Sequence, residues 1–416
     1  MTAVRFIALV PALLVVAIRL PAAQAEGVPD PLLEKAKEIH KRILAFDSHL
    51  DLPFDYAGAT ADGKTQFDLP KVERGQLKGA ALAVFVPQGP RTAEGYAKAL
   101  SDAEKKYNLI KAVAEQNPDR AALAYSPADV RRLAGQEKFA VVISILNAYP
   151  LADLAAVDEW FKRGVRIIGY THAGNNQWSD SSRPNAGLGD RPNENGGLTD
   201  LGKRGIARMN ELGVLIDVSQ LTTPALKQVL SITKAPVVAT HSGVRKLADS
   251  PRNLSDEELD LIKKNGGVVQ IVAFANYVRP IPKEIASQVQ ALQAEFGYKD
   301  NEPPPGFSAA QRIAYGERNR KILAAVPPAT VAQYVETIDY AVKKIGADHV
   351  GIASDFNHGG GVVGWENEGE AQNVTAELLR RGYTEKDIAK LWGGNFLRTW
   401  AAAQKAGKGS ENRVAK

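Results

Sequence analysis

The chain has 416 residues, a formal net charge of +5, 44% hydrophobic and 24% charged residues, six histidines and no cysteine. These are globular proportions, and they exclude a disordered, collagenous or multi-span membrane chain. Without cysteine there are no disulfides, thiolate metal sites, iron–sulfur clusters or cysteine nucleophiles, so any metal must be held by histidine, carboxylate or other oxygen ligands.

Residues 1–25 read as a secretory signal peptide. Arg5 gives a positive start, an apolar run follows from Phe6 to Ile18, and Ala23-Gln24-Ala25 has the small-x-small cleavage pattern. The run is shorter than the roughly 20 residues a membrane-spanning helix needs, and Arg19 and Pro21 follow it. The expectation is a secreted or periplasmic protein that begins near Glu26 and has no stable membrane span. Residues 1–25 hold two arginines and no acid, so the remaining chain carries a formal charge of +3. Its basic residues are interspersed with acids, as at Glu104-Lys105-Lys106, so nucleic acid is not an expected partner.

Beyond this segment, apolar runs alternate with helical patterns. Strands are expected at Ile43–Phe46, Ala80–Val86, Phe139–Ile145, Arg166–Thr171, Val214–Val218, Pro236–Thr240, Gly267–Phe274 and Val350–Ser354. Runs such as Val141-Val142-Ile143 and Val237-Val238-Ala239 suit strands of a parallel sheet buried on both faces. Between them, Ser126-Pro127-Ala128-Asp129 has capping-box spacing, and Ser255 opens a helix that Gly266 closes. Thr199–Leu212, Thr223–Leu230 and Thr330–Ile345 carry helical apolar stripes. Eight strands with intervening helices predict an α/β fold, a (β/α)8 TIM barrel over residues 26–406, followed by a polar tail at 407–416. An open doubly wound sheet is the competing arrangement. Two stretches break the rhythm on the strand-to-helix side, where barrel active sites are built: Asn175–Gly197, and a helical insertion after strand seven spanning Asn276–Pro328.

The reactive side chains fall at strand ends. His49 and Asp51 are two residues apart at the end of strand one and project the same way in an extended segment. His172 follows strand four, Gln220 strand five, His241 strand six and Asp355 strand eight, so a closed barrel brings all six to one mouth. One histidine is more often structural than functional; three at the same end of separate strands favour a site. His40 is expected on the surface of the first helix, His349 at the opposite end of the barrel, and His358, in a glycine-rich loop, is undecided. Ser242 lacks a G-x-S-x-G elbow, which disfavours a serine hydrolase.

Several segments in order resemble the renal (membrane) dipeptidase family of metallopeptidases, from about Ala36 to Ala402: Asp47–Pro53, Thr171–Asn176, Gly197–Gln220, Ala239–Asn253, His349–Gly361 and Gly393–Arg398. The resemblance implies a (β/α)8 barrel, two zinc ions bridged by a carboxylate and a hydroxide, and hydrolysis of dipeptides, D-residue peptides, dehydropeptides or β-lactams. It assigns His49 and Asp51 to the first metal, His241 to the second and His172 to the reacting carbonyl oxygen. It assigns Arg252 to the substrate carboxylate, and Asp355 to the nucleophilic water and proton transfer. Two positions depart from the family pattern: Leu146 stands at the bridging glutamate and Gln220 at a second-metal histidine. Leucine has no lone pair, an amide oxygen is a weak uncharged ligand, and two cations without their bridge repel in a pocket of low dielectric. The family expectation of two zinc ions therefore falls to one or none here. Two readings stay open. One is an exported metallo-dipeptidase that cleaves dipeptides or related small amides with metal-activated water. The other is a catalytically impaired homologue that binds a dipeptide-like ligand without hydrolysis. Family members are often dimers, so a homodimer is an expectation carried by the resemblance alone.

Overall fold

The computed structural model describes residues 30–298, 304 and 306–407; the expected signal segment 1–25 and the tail beyond Gly407 lie outside them. Among the described residues there are nine strands: β1 Phe46–Asp51, β2 Gly79–Phe85, β3 Ala121–Leu123, β4 Phe139–Leu146, β5 Val165–Gly169, β6 Leu215–Asp217, β7 Val238–Ser242, β8 Val268–Val272 and β9 Val350–Ala353. All pairs are parallel, in the order β1-β2-β4-β5-β6-β7-β8-β9, with β3 paired to β4 beside that path.

The sheet closes on itself between its first and last strands. The Asp355 N–H donates to the His49 carbonyl at 3.0 Å, and the Asp51 N–H donates to the Phe356 carbonyl at 3.0 Å. Asp47 clamps the seam. Its Oδ1 accepts from the Ser354 N–H at 3.0 Å and the His49 N–H at 3.2 Å, and its Oδ2 accepts from the Ser354 hydroxyl. The architecture is thus the expected (β/α)8 barrel rather than an open sheet. The seam also sets His49 and Asp51 beside Asp355, residues about 300 positions apart in sequence.

The barrel strands are buried throughout, apart from the short β3, as their near-continuous apolar runs require. The surrounding helices turn one stripe inward; Val331–Ile345 buries Tyr334, Val335, Ile338, Ala341 and Ile345. The expected caps are present. Ser126 accepts from the Asp129 N–H at 3.1 Å, and Ser255 and Glu258 form a reciprocal capping box.

Three details differ from the sequence expectation. The first strand begins at Phe46 and not at Ile43. The apolar Ile43 and Ala45 pack into the core from the preceding linker, while the strand itself carries the polar Asp47, Ser48, His49 and Asp51, buried by the seam and by the site. The three-residue β3 is too short to give a periodic signal. His40 is fully buried and not on the surface. Its ring nitrogens lie 3.0 Å from the Gly75 carbonyl and 2.7 Å from the Thr375 hydroxyl, and its ring meets Trp392 edge-on at 5.2 Å. The helix Pro31–Arg42 lies against Ala371–Arg380, which turns the His40 face inward.

Candidate active site

Each reactive side chain is delivered by the C-terminal end of a strand or by the loop that follows. Several of these ends hold non-glycine residues in the left-handed region: Asn147 after β4, Gln220 after β6, and Asp355 and Asn357 after β9 have φ between 58° and 69°. Such conformations cost roughly 1–3 kcal/mol each and persist where the surroundings over-determine them. After β9 the turn is also sterically fixed, because a Cβ on Gly360 would overlap the Ser354 and Asp355 carbonyls. The result folds His358 back over Asp355.

Four buried or half-buried side chains converge there. His49 Nε2 lies 3.6 Å from Asp51 Oδ2 and 3.7 Å from Asp355 Oδ1; His358 Nδ1 lies 3.3 Å from Asp51 Oδ2 and 3.8 Å from Asp355 Oδ1. The ligand atoms of all four residues fall within 4.8 Å of one another. None of these four atoms makes an oriented hydrogen bond within the protein. A tetrahedral shell with metal–ligand distances of about 2.0–2.2 Å has ligand–ligand edges of about 3.3–3.6 Å. The four separations of 3.3–3.8 Å approach such edges, and the donor types suit one divalent ion. Burial holds the His49 imidazole down at about 4, against the neighbouring Asp51 charge, so the ring is neutral with a lone pair to give. Burial pushes the Asp355 carboxyl up to about 7, opposed by His358 and Arg252.

The other expected site residues surround this quartet. His241 lies beside it and not in it. Its ring stacks on His49 at 3.9 Å, its Nε2 is 2.9 Å from Gln220 Nε2, and its Nδ1 is 2.8 Å from the Thr240 hydroxyl. Thr240 is itself held by Asp217 at 2.6 Å, which orients the imidazole. Burial lowers the pKa values of both His241 and His172 well below the ordinary histidine value. Leu146 is packed with Ala83 and Phe85. The Phe85 ring lies 4.6 Å from His172 and 4.2 Å from His358. The position where the resemblance places a bridging glutamate is thus part of an apolar wall.

Arg252 is buried and lies over the Tyr277 ring at 4.4 Å, with its Nη2 donating to the His241 carbonyl. Its Nε and Nη1 have no partner within the protein. Arg252, His172, Gln220, His241, Asp355 and His358 line one cavity of about 120 Å³, together with Arg183, Phe274 and Tyr277. Two of these residues escape the sequence reading. His358 sits in a loop that periodicity does not place, and Arg183 lies within the long polar segment Asn175–Gly197. The glycine-rich stretch after strand eight was the one available signal for His358.

The family model for membrane dipeptidases, peptidase family M19, matches residues 33–414. Dipeptidase ataJ of Aspergillus terreus is 26% identical over 400 residues, covering 89% of this chain and 87% of its own. The probable dipeptidase PvdM from Pseudomonas aeruginosa is 46% identical, and its crystal structure superposes with a TM-score of 0.87 over 91% of this chain and 100% of that one. A metallopeptidase from Rhodobacter sphaeroides, crystallised with a phosphinate mimic of L-Ala-D-Ala, shares the fold at 20% identity and a TM-score of 0.67, over 87% of this chain and 99% of its own.

Proposed function

The chain belongs to the membrane dipeptidase family, peptidase family M19, and on that premise we propose that it is a metal-dependent hydrolase of dipeptides or related small amides, working with one divalent ion. The observation that carries this reading is the quartet His49, Asp51, Asp355 and His358, whose ligand atoms lie within 4.8 Å of one another and can share one divalent ion. His358 supplies the fourth ligand of a site that has lost its bridging carboxylate to Leu146. Zinc is the ion the family leads one to expect. His241 then acts as an oriented neighbour of His49 and not as a ligand.

When bound, a divalent ion supplies a water of lowered pKa and polarises a carbonyl. The chain supplies the rest. Arg252 lines the cavity with a buried positive charge suited to a substrate carboxylate. His172 lines the cavity on the side of the reacting carbonyl, with its Nε2 3.3 Å from Arg183 Nη2. Asp355 accepts the proton of the attacking water and passes it to the leaving amine as the C–O bond forms and the C–N bond breaks. Phe85, packed with Leu146, backs the His172 ring with an apolar surface.

Export is part of the same proposal, resting on the signal-like residues 1–25, with a single domain over residues 26–406. A mature amino terminus at Glu26 in the periplasmic or secreted fraction supports it; an uncleaved start contradicts it. The function itself is tested by stripping the purified protein with chelator and assaying a dipeptide panel with Zn²⁺, Mn²⁺ and Co²⁺. Metal-dependent turnover that His49→Ala abolishes is expected, and no such turnover overturns the reading. Leu146 and Gln220 favour the second reading, binding without hydrolysis. Saturable dipeptide binding that depends on Arg252, with no turnover under any metal, identifies it.

A further inference from the structure

Beside the quartet, His172, Gln220 and Tyr277 converge on a guanidinium. Arg183 Nη2 donates to Gln220 Oε1 and lies 3.3 Å from His172 Nε2. Its Nη1 lies 3.2 Å from the Tyr277 hydroxyl. Gln220 turns its amide nitrogen to His241 Nε2 at 2.9 Å, which occupies that ring nitrogen as well. The guanidinium is aimed from behind. The Ser181 hydroxyl donates to the His172 carbonyl and accepts from the Arg183 N–H at 3.1 Å, and the Ser181 N–H is held by Asn175 Oδ1 at 2.9 Å. Arg183 Nε has no partner within the protein.

The charges balance only one way. The two carboxylates of the quartet match one divalent ion, and Asp355 is the only acid that lines the cavity among the described residues. A second divalent ion would sit against Arg183 and Arg252 with nothing to offset it. An amide substrate brings two negative charges to its transition state, a carboxylate and an oxyanion, and the cavity presents two guanidinium groups.

We propose that Arg183 is the built-in second cation of this centre. It takes the place of a second metal ion, restricts the chain to one divalent ion, and stabilises the oxyanion while Arg252 holds the carboxylate. The proposal rests on the hydrolase reading above and is separable from it by experiment. Purified protein is equilibrated with Zn²⁺, desalted and analysed for metal, with circular dichroism as the check on folding. One ion per chain is expected. No ion at all overturns the hydrolase reading; two ions overturn the single-ion centre and the role of Arg183 and leave metal-dependent hydrolysis standing. Leu146→Glu with Gln220→His is expected to remain at one ion, and adding Arg183→Ala to that pair is expected to raise the count to two. Two ions with Arg183 present, or one ion after its removal, overturn the proposal.

An independent arm needs only single variants. Arg183→Ala is expected to lower kcat by roughly 10²–10³-fold, the usual effect of deleting an oxyanion donor, with KM for the dipeptide changed less than about threefold. Arg183→Lys should recover part of kcat. A loss confined to KM, or an unchanged kcat, overturns the proposal.

Discussion

Replacing Arg252 by methionine is expected to move activity and stability in different ways. In the free protein this guanidinium is buried with one hydrogen bond, to the His241 carbonyl, and one ring contact, to Tyr277 at 4.4 Å. Those contribute about 1.5–3 and about 0.5–2 kcal/mol. Against them stand two buried N–H groups without a partner, Nε and Nη1, at a cost of about 1–3 kcal/mol each. The terms nearly cancel, so Arg252→Met should change the unfolding free energy by less than about 2 kcal/mol. The substrate carboxylate, by contrast, loses its charged partner in a desolvated pocket, a loss of about 2–5 kcal/mol. That is roughly a 30- to 5,000-fold fall in kcat/KM. Urea denaturation and dipeptide hydrolysis on the same preparation measure the two effects. A stability loss above about 3 kcal/mol with kcat/KM unchanged would refute the reasoning, because it would make Arg252 a structural cation.

Three further outcomes are expected. His358→Ala removes one of the four quartet donors and should weaken zinc binding at least ~100-fold in a chelator competition; unchanged affinity removes His358 from the ligand set. Burial lowers His40 from 6.5 to about 4, so its contribution is complete above pH 6.5 and is lost as pH falls towards 4. By pH 5 the loss is about 2 kcal/mol, and His40→Gln should lose that much less stability between pH 7 and pH 5 in urea melts. Leu146→Glu places a carboxyl in the wall of Ala83 and Phe85 and should cost roughly 3 kcal/mol of stability in chelator. Adding Zn²⁺ should restore part of that cost, and a melting temperature indifferent to zinc would contradict it.

The barrel was legible because its strands are buried on both faces and announce themselves as apolar runs. The rule that barrel sites gather at strand ends then placed His49, Asp51, His172, Gln220, His241 and Asp355 around one region. Legibility failed where burial came from polar pairing. β1 is built of Asp47, Ser48, His49 and Asp51, which hydropathy reads as a loop, so the strand was expected three residues too early. His40 failed in the same way, as a polar residue satisfied inside by Gly75 and Thr375. His358 depends on the left-handed backbone at Asp355 and Asn357, which no side-chain period reports. Arg183 depends on the hydrogen bonds of Ser181 with His172, contacts across a polar loop that become apparent only in three dimensions. The two residues that the one-ion proposal adds to the strand-end list, His358 and Arg183, are thus the two contributed by loops.

The central claim is that a single divalent ion on His49, Asp51, Asp355 and His358 suffices for dipeptide hydrolysis. Its most direct test is to titrate the metal-stripped protein with Zn²⁺ while following cleavage of a dipeptide. Activity should rise linearly to one equivalent and stay level beyond it. Activity that appears only with the second equivalent, or never appears, would contradict the claim.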